Sequence, residues 1–266
     1  MVRKLDDLYF SQLALRYFEK CHLKFRRRYL DGLFWAGDWG GNIELKELLE
    51  RGKLFHQLAW RYYSTGEAME QELLSGDLKD WFENLKEFRP YNPEDSFYPE
   101  YELRVNKEGI KLVAKFDLIY IDEKKRKIII YDWKTDRKPF SADIDYRYNL
   151  QSRVYLYVLQ EALDRFLPQE NLEPVLIYWN PRFPQEQKTV FYSKKRFMED
   201  KLYLQEKIGE IKGLSYEEFR AVDDERICMY CEYRSICFQK KPLLLEIEED
   251  DFDLDLDWER IEEIEF

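Results

Sequence analysis

Asp132-Trp133-Lys134 closes the apolar run Ile128-Ile129-Ile130-Tyr131, and a second aspartate, Asp117, interrupts the apolar segment before it. In a strand, residues two apart emerge on one face, so Asp132 and Lys134 stand side by side on the face that Ile128 and Ile130 use for the core. Charges placed there are costly unless they have partners. A hairpin would set Asp117 opposite Asp132, and two carboxylates at one point repel unless a cation lies between them. Hard oxygen donors of this kind suit Mg2+ or Mn2+, which keep several waters and accept a phosphate oxygen. Such an ion acidifies a bound water and offsets the charge that develops at phosphorus, with Lys134 positioning the water or the phosphate. That chemistry is phosphodiester hydrolysis. An isolated Asp-x-Lys is most often a surface ion pair, so its company decides.

The second chemical group is made of thiols. Cys228, Cys231 and Cys237 form C-x2-C-x5-C, and Cys21 completes the set of four from the other end of the chain. Three thiols within ten residues can wrap one tetrahedral centre whose fourth ligand comes from elsewhere. Four sulfur ligands point to zinc or to an iron–sulfur cluster, and spacing does not choose between them.

The elements that must position these residues follow from periodicity. The 266 residues are 45% apolar and 17% aromatic, enough for one sizeable core. Helical spacing runs from about Asp6 to Leu30, from about Ile43 to Tyr63 and near Glu67 to Phe88. From Tyr101 the period becomes two: YELRVNK, IKLVAKFDLIYI and KIIIYDWK, joined by a Lys107-Glu108-Gly109 turn and a charged DEKKRK turn, predict a three-strand meander. Helix returns between Asp143 and Phe166, with Leu150, Val154, Val158 and Ala162 on one ridge. Strands PVLIYWN and TVFYS follow, then a charged helix over about Lys194 to Lys212 and the cysteine loop. The expected fold is an α/β core with a mixed sheet flanked by helices. Its parts are a helical region over about 1–95, a catalytic core over about 96–213 and a cluster loop over about 214–242, followed by an acidic tail over 243–266.

The net charge of −11 resides in that tail. Glu246 to Phe266 holds twelve Asp or Glu and one Arg, so residues 1–245 keep 42 acidic and 42 basic side chains. The densest basic cluster is Lys24, Arg26, Arg27 and Arg28. MVRKLDDLYF lacks the apolar core of a signal peptide, and no apolar run reaches the length of about eighteen residues needed to cross a bilayer. A soluble cytoplasmic protein is expected, in which the cysteines should not form disulfides.

His56 in GKLFHQLAW, Asp117, Asp132-Trp133-Lys134, and Gln151 with Tyr155 in a Q-x-x-x-Y spacing occur in the order that resembles the RecB-like PD-(D/E)XK nucleases. The resemblance implies a restriction-endonuclease-like core and a metal site of His56, Asp117 and Asp132. It further implies a catalytic Lys134, and DNA contacts from Gln151 and Tyr155. Ala114, where glycine is frequent, and Trp60, where an acid often follows the histidine, depart from the pattern without removing a ligand. Ser11, Tyr17, Cys21, Leu23, Lys24, Phe25 and Tyr29 look like the N-terminal cysteine motif of the iron–sulfur members, with His22 in place of a common proline. This implies a 4Fe–4S cluster on Cys21, Cys228, Cys231 and Cys237 that staples the chain ends, with zinc as the other occupant. The activity implied is a DNA exonuclease on single-stranded or frayed ends, in repair or in CRISPR spacer processing. A separate helicase or CRISPR adaptation protein would then be the partner, since no P-loop is present. Two other readings stand beside it: an inactive iron–sulfur scaffold that binds DNA, and a zinc-stapled nuclease acting on RNA. The tail, with Phe252, Trp258 and Phe266 among its acids, is a solvated end, a partner-binding peptide or a DNA mimic.

Overall fold

The alternating segment folds as an antiparallel meander of β1 (Ser96–Lys107), β2 (Ile110–Asp122) and β3 (Lys127–Trp133). The coordinates are a computed structural model describing residues 3–33, 43–67, 76–168, 172–229 and 231–240. The acidic tail of the sequence lies outside the described residues. Glu108 and Gly109 turn the first hairpin at φ values of 49° and 84°, the positive region that a two-residue hairpin turn requires and that glycine enters freely. From β3 the chain crosses over through α5 (Leu150–Glu161) to β4 (Val175–Trp179), which pairs parallel with β3. The last strand, β5 (Gln187–Phe191), returns antiparallel. The result is a mixed five-stranded sheet in the order β1-β2-β3-β4-β5.

Helices cover both faces. Phe55, Leu58, Tyr62 and Tyr63 of α3 (Ile43–Thr65) and Trp81, Phe82 and Leu85 of α4 (Asp77–Phe88) bury against Leu118, Tyr120, Tyr131 and Trp133. On the other face Ile128, Ile130 and Leu176 meet α5, and α1 (Gln12–Lys20) and α6 (Lys194–Gly213) close the same core. The fold is thus an α/β core, a mixed sheet with helices on each side. Side-chain oxygens cap the helices that matter to the site: Asn149 accepts from Ser152 N at 2.7 Å to start α5, and Ser11 accepts from Ala14 N at 3.1 Å to start α1, as N-cap residues do.

Several boundaries differ from the sequence expectation. The stretch near Asp6 to Leu30 is not one helix. Cys21 is extended at φ −166°, ψ 116°, and separates α1 from the short α2 (His22–Phe25) and a π-helical turn, Arg26–Leu30. The helix expected between Asp143 and Phe166 is confined to α5 and one 3-10 turn, with the Asn149 cap setting its start. Conversely β1 begins five residues before Tyr101.

That early start has a structural consequence. In β2, Ile110, Leu112, Ala114 and Phe116 face the larger core, but beyond Asp117 it is Ile119 and Ile121 that do so. The alternation therefore changes phase at Asp117. β1 changes phase at the same level, from Leu103 and Val105 to Tyr98, around Glu100 at φ 50°. Both strands therefore reverse their facing at the level where the acidic residues stand.

Candidate active site

At the C-terminal end of β3 the alternation runs on into the charged triplet. Asp132 follows Ile128 and Ile130 onto the larger-core face and is 2% exposed. Its Oδ1 accepts from Gln151 Nε2 at 2.8 Å, and its Oδ2 lies 2.9 Å from Lys134 Nζ. Trp133 points the other way. Its ring stacks on Tyr131 and on Tyr63 of α3 and meets Trp179 edge-on. The middle residue of the triplet thereby locks the register of β3 against the helix that carries His56.

The β2–β3 ladder ends at Leu118↔Tyr131, so Asp117 and Asp132 are the next facing positions. Asp117 Oδ2 accepts the Trp133 N–H at 2.6 Å, and its Oδ1 lies 3.3 Å from His56 Nδ1. Glu100, from the phase change of β1, reaches the same spot: Oε1 is 3.8 Å from His56 Nδ1, and Oε2 is 2.6 Å from Lys115 Nζ. His56, Glu100 and Asp117 each offer a donor atom within 4.8 Å of the others.

The electrostatics of this group favour a cation. Burial works against the charged form of His56, yet Asp117 and Glu100 outweigh it and hold its pKa well above the ordinary value. Burial would likewise raise Asp117, but His56, the Trp133 amide and Lys134 keep its carboxyl ionised and its pKa below the usual range. A set of one imidazole and two carboxylates that draws a proton so strongly has the donor chemistry for Mg2+ or Mn2+. All these side chains line one cleft of about 940 Å3 between α3, the strand ends and the loop after β3.

Gly52 explains how closely α3 approaches. A methyl group built there would sit 2.8 Å from Thr135 Oγ1, and Thr135 is 3% exposed. Glycine inside a helix is otherwise unfavourable, and this one lies one turn before His56. Gly52→Ala is expected to push α3 off the strand end and lower kcat by about tenfold to a hundredfold, the scale of small misplacements at a reacting centre. Steady-state kinetics beside a melting curve check it, and an unchanged kcat would show that the approach is not critical.

Of the residues singled out in the sequence, His56, Asp117, Asp132 and Lys134 line this cleft and Gln151 braces Asp132. Asp132 is not among the three residues whose donor atoms cluster; its carboxylate is engaged by Gln151 and Lys134 instead. Gln151 and Tyr155 are 5% and 4% exposed, and Tyr155 packs on Phe116 at 4.9 Å. Both are buried behind the strand ends that carry the acids. Glu100 was missed because acids are common on half-buried strands. The available signal was the pair Pro99-Glu100 between Tyr98 and Tyr101, which breaks the alternation of β1.

The basic cluster near Cys21 is not an open patch. Lys24 and Arg28 lie 3.0 and 3.8 Å from Glu232, and Arg26 lies 3.6 Å from Asp31. They are turned in toward the C-terminal loop. That loop, with α7 (Glu225–Cys228) and α8 (Arg234–Phe238), meets the N-terminal segment through Leu23 N–H donating to Arg220 O at 3.0 Å and through Phe25 stacked on Phe219. Cys21, Cys228, Cys231 and Cys237 all line one small cavity of about 40 Å3 there, with Lys24, Arg27 and Arg234. Burial pushes the Cys231 thiol up to about 12 and raises Cys228 and Cys237 as well.

No helix among the described residues is long and apolar enough to cross a membrane. Comparison with known proteins gives a family match. The model of the PD-(D/E)XK nuclease superfamily matches residues 9–94 and 67–238. No curated protein matches the chain. Among solved structures, one described as a candidate exonuclease from Eubacterium rectale is similar over 92% of this chain and 93% of its own, at 14% identity and a TM-score of 0.48. Another, SSO0001, is similar over 74% of this chain and 95% of its own, at 16% identity and a TM-score of 0.34. The family match runs through every element that builds the cleft, and the chain belongs to the PD-(D/E)XK nuclease superfamily.

Proposed function

We propose that the chain is a Mg2+- or Mn2+-dependent DNA nuclease that trims single-stranded or frayed ends. The observation that carries this is the convergence of His56, Glu100 and Asp117 within 4.8 Å beside the Asp132–Lys134 pair in one cleft. His56, Glu100 and Asp117 would hold the metal, with Asp132 facing them from the next strand. The metal when bound supplies Lewis-acid stabilisation of the phosphate and a more acidic water. Lys134 presents a fixed ammonium to the same space, suited to a non-bridging phosphate oxygen or to the attacking water. Gln151 holds the Asp132 rotamer, and the Trp133 amide fixes one oxygen of Asp117 so that the other faces the cleft.

The cysteines form a second centre in this reading. Four thiols around one cavity with nearby cations suit a thiolate-bound centre, since the charges of Lys24, Arg27 and Arg234 offset ionised sulfurs. Cys21, Cys228, Cys231 and Cys237 would hold a 4Fe–4S cluster or, as the other occupant, a zinc ion. Cleavage of single-stranded, forked and duplex DNA and of RNA by anaerobically purified protein tests the proposal. Activity is expected with Mg2+ or Mn2+ and none with EDTA. Metal-independent cleavage would end the metal-dependent reading, and binding without cleavage under every metal would replace the enzyme by a DNA-binding scaffold.

A further inference from the structure

The structure points to Trp60 as a base-stacking platform that makes the cleft select an unstacked, single-stranded DNA end; we infer this on top of the nuclease reading above. Lys53, His56, Gln57 and Trp60 all line the cleft, at the i, i+3, i+4, i+7 spacing that puts them on one face of α3. The first three are polar, as a wet cleft requires. Trp60 is not, and it is 50% exposed, whereas the aromatic residues on the opposite side of the same helix, Phe55, Tyr62 and Tyr63, are 0%, 7% and 2% exposed.

An indole half in water at a concave site gains stability only when something flat and apolar covers it. Trp60 stands one turn beyond His56, about 6 Å along the helix axis. An unstacked strand covers that distance within a nucleotide or so, and the base that Trp60 receives belongs to a nucleotide next to the scissile phosphate. In a duplex the inner bases stack on both neighbours, and the terminal pair exposes only its outer face, with both bases still held in the pair. An unpaired base has a free face, and aromatic stacking on it is indifferent to sequence. Arg137 and Lys138, exposed on the loop after β3, line the same cleft and suit the phosphates of such a strand. The cleft volume of about 940 Å3 lies at the upper end of the range of about 300–1,000 Å3 that encloses small ligands. It has room for a few nucleotides.

The test uses the full chain with a labelled single-stranded DNA, its blunt duplex, and copies of the single strand carrying one abasic residue at each position in turn. Binding is measured in Ca2+ and cleavage in Mn2+. Wild type is expected to lose about tenfold in affinity at one abasic position near the cut. Trp60→Ala should be insensitive at that position and should lower the preference for single strand over duplex by about tenfold, with Trp60→Phe recovering most of it. An abasic profile that Trp60→Ala leaves unchanged, an equal loss on both substrates, or a wild type that binds no single strand would each overturn the inference. If wild type cuts nothing in Mn2+, the nuclease reading falls, while the binding profile still judges Trp60. If wild type cuts and the profile ignores Trp60, the stacking role alone falls.

Discussion

Replacing Asp132 by asparagine is expected to leave a folded protein that still binds DNA and has lost about a thousandfold in kcat. The expectation rests on what asparagine keeps and what it removes. Its carbonyl oxygen can still accept from Gln151 Nε2, so the buried contact between β3 and α5 survives. The negative charge 2.9 Å from Lys134 Nζ disappears, and with it the alignment of the ammonium and the second carboxylate facing Asp117. Removing one charged group from a site of this kind costs on the order of 4 kcal/mol in the transition state, which is the thousandfold. Stability should change little, because Lys134 borders the open cleft and water can take over its charge. Single-turnover cleavage beside a melting curve decides. Retained cleavage would move the chemistry away from Asp132, whereas a fall in melting temperature large enough to account for the lost rate would make the residue structural.

Cys21→Ala should produce the largest change in stability. The cysteine comes from the extended break between α1 and α2, and the three cysteines that line the same cavity come from the C-terminal loop. Closing a loop of about two hundred residues in the unfolded chain is worth about 5 kcal/mol in the chain-entropy description of a cross-link. That value is an upper bound, because Leu23, Phe25 and Arg220 already hold the two ends together. A fall in melting temperature of about 10 °C is expected for a chain of this size. With the proposed 4Fe–4S cluster bound, the wild type should absorb visible light and contain iron, and the variant should lose both. Zinc in the wild type at one per chain would replace the cluster with a single ion and keep the staple. An unchanged melting temperature and unchanged metal content would remove the staple altogether.

The meander and the crossover helix were legible because both have strong periods. Ile128 and Ile130 on one face and Tyr131 and Trp133 on the other already fix which way Asp132 and Lys134 emerge, since a strand has a period of two and no freedom to choose. The same holds for α5, where Val154 and Val158 repeat every four residues. Glu100 was hard to read, because its role depends on a local reversal of phase in both β1 and β2, of which the broken alternation at Pro99-Glu100 is only one half. Nor was the break at Cys21: one extended residue between helical stretches leaves the apolar spacing almost intact, while turning the sulfur toward a loop far along the chain.

The sequence by itself determined the element order, the strand face of the acid–lysine pair and the set of four thiols. These depend on local periodicity and on which residue types occur together. Only the tertiary structure decided that Glu100 joins His56 and Asp117, that Asp132 is held by Gln151 and Lys134, and that Tyr155 is buried against Phe116. Each of these contacts joins elements far apart in the chain. Their geometry is set by the packing of α3 and α5 on opposite faces of one twisted sheet, and no spacing along the chain encodes it.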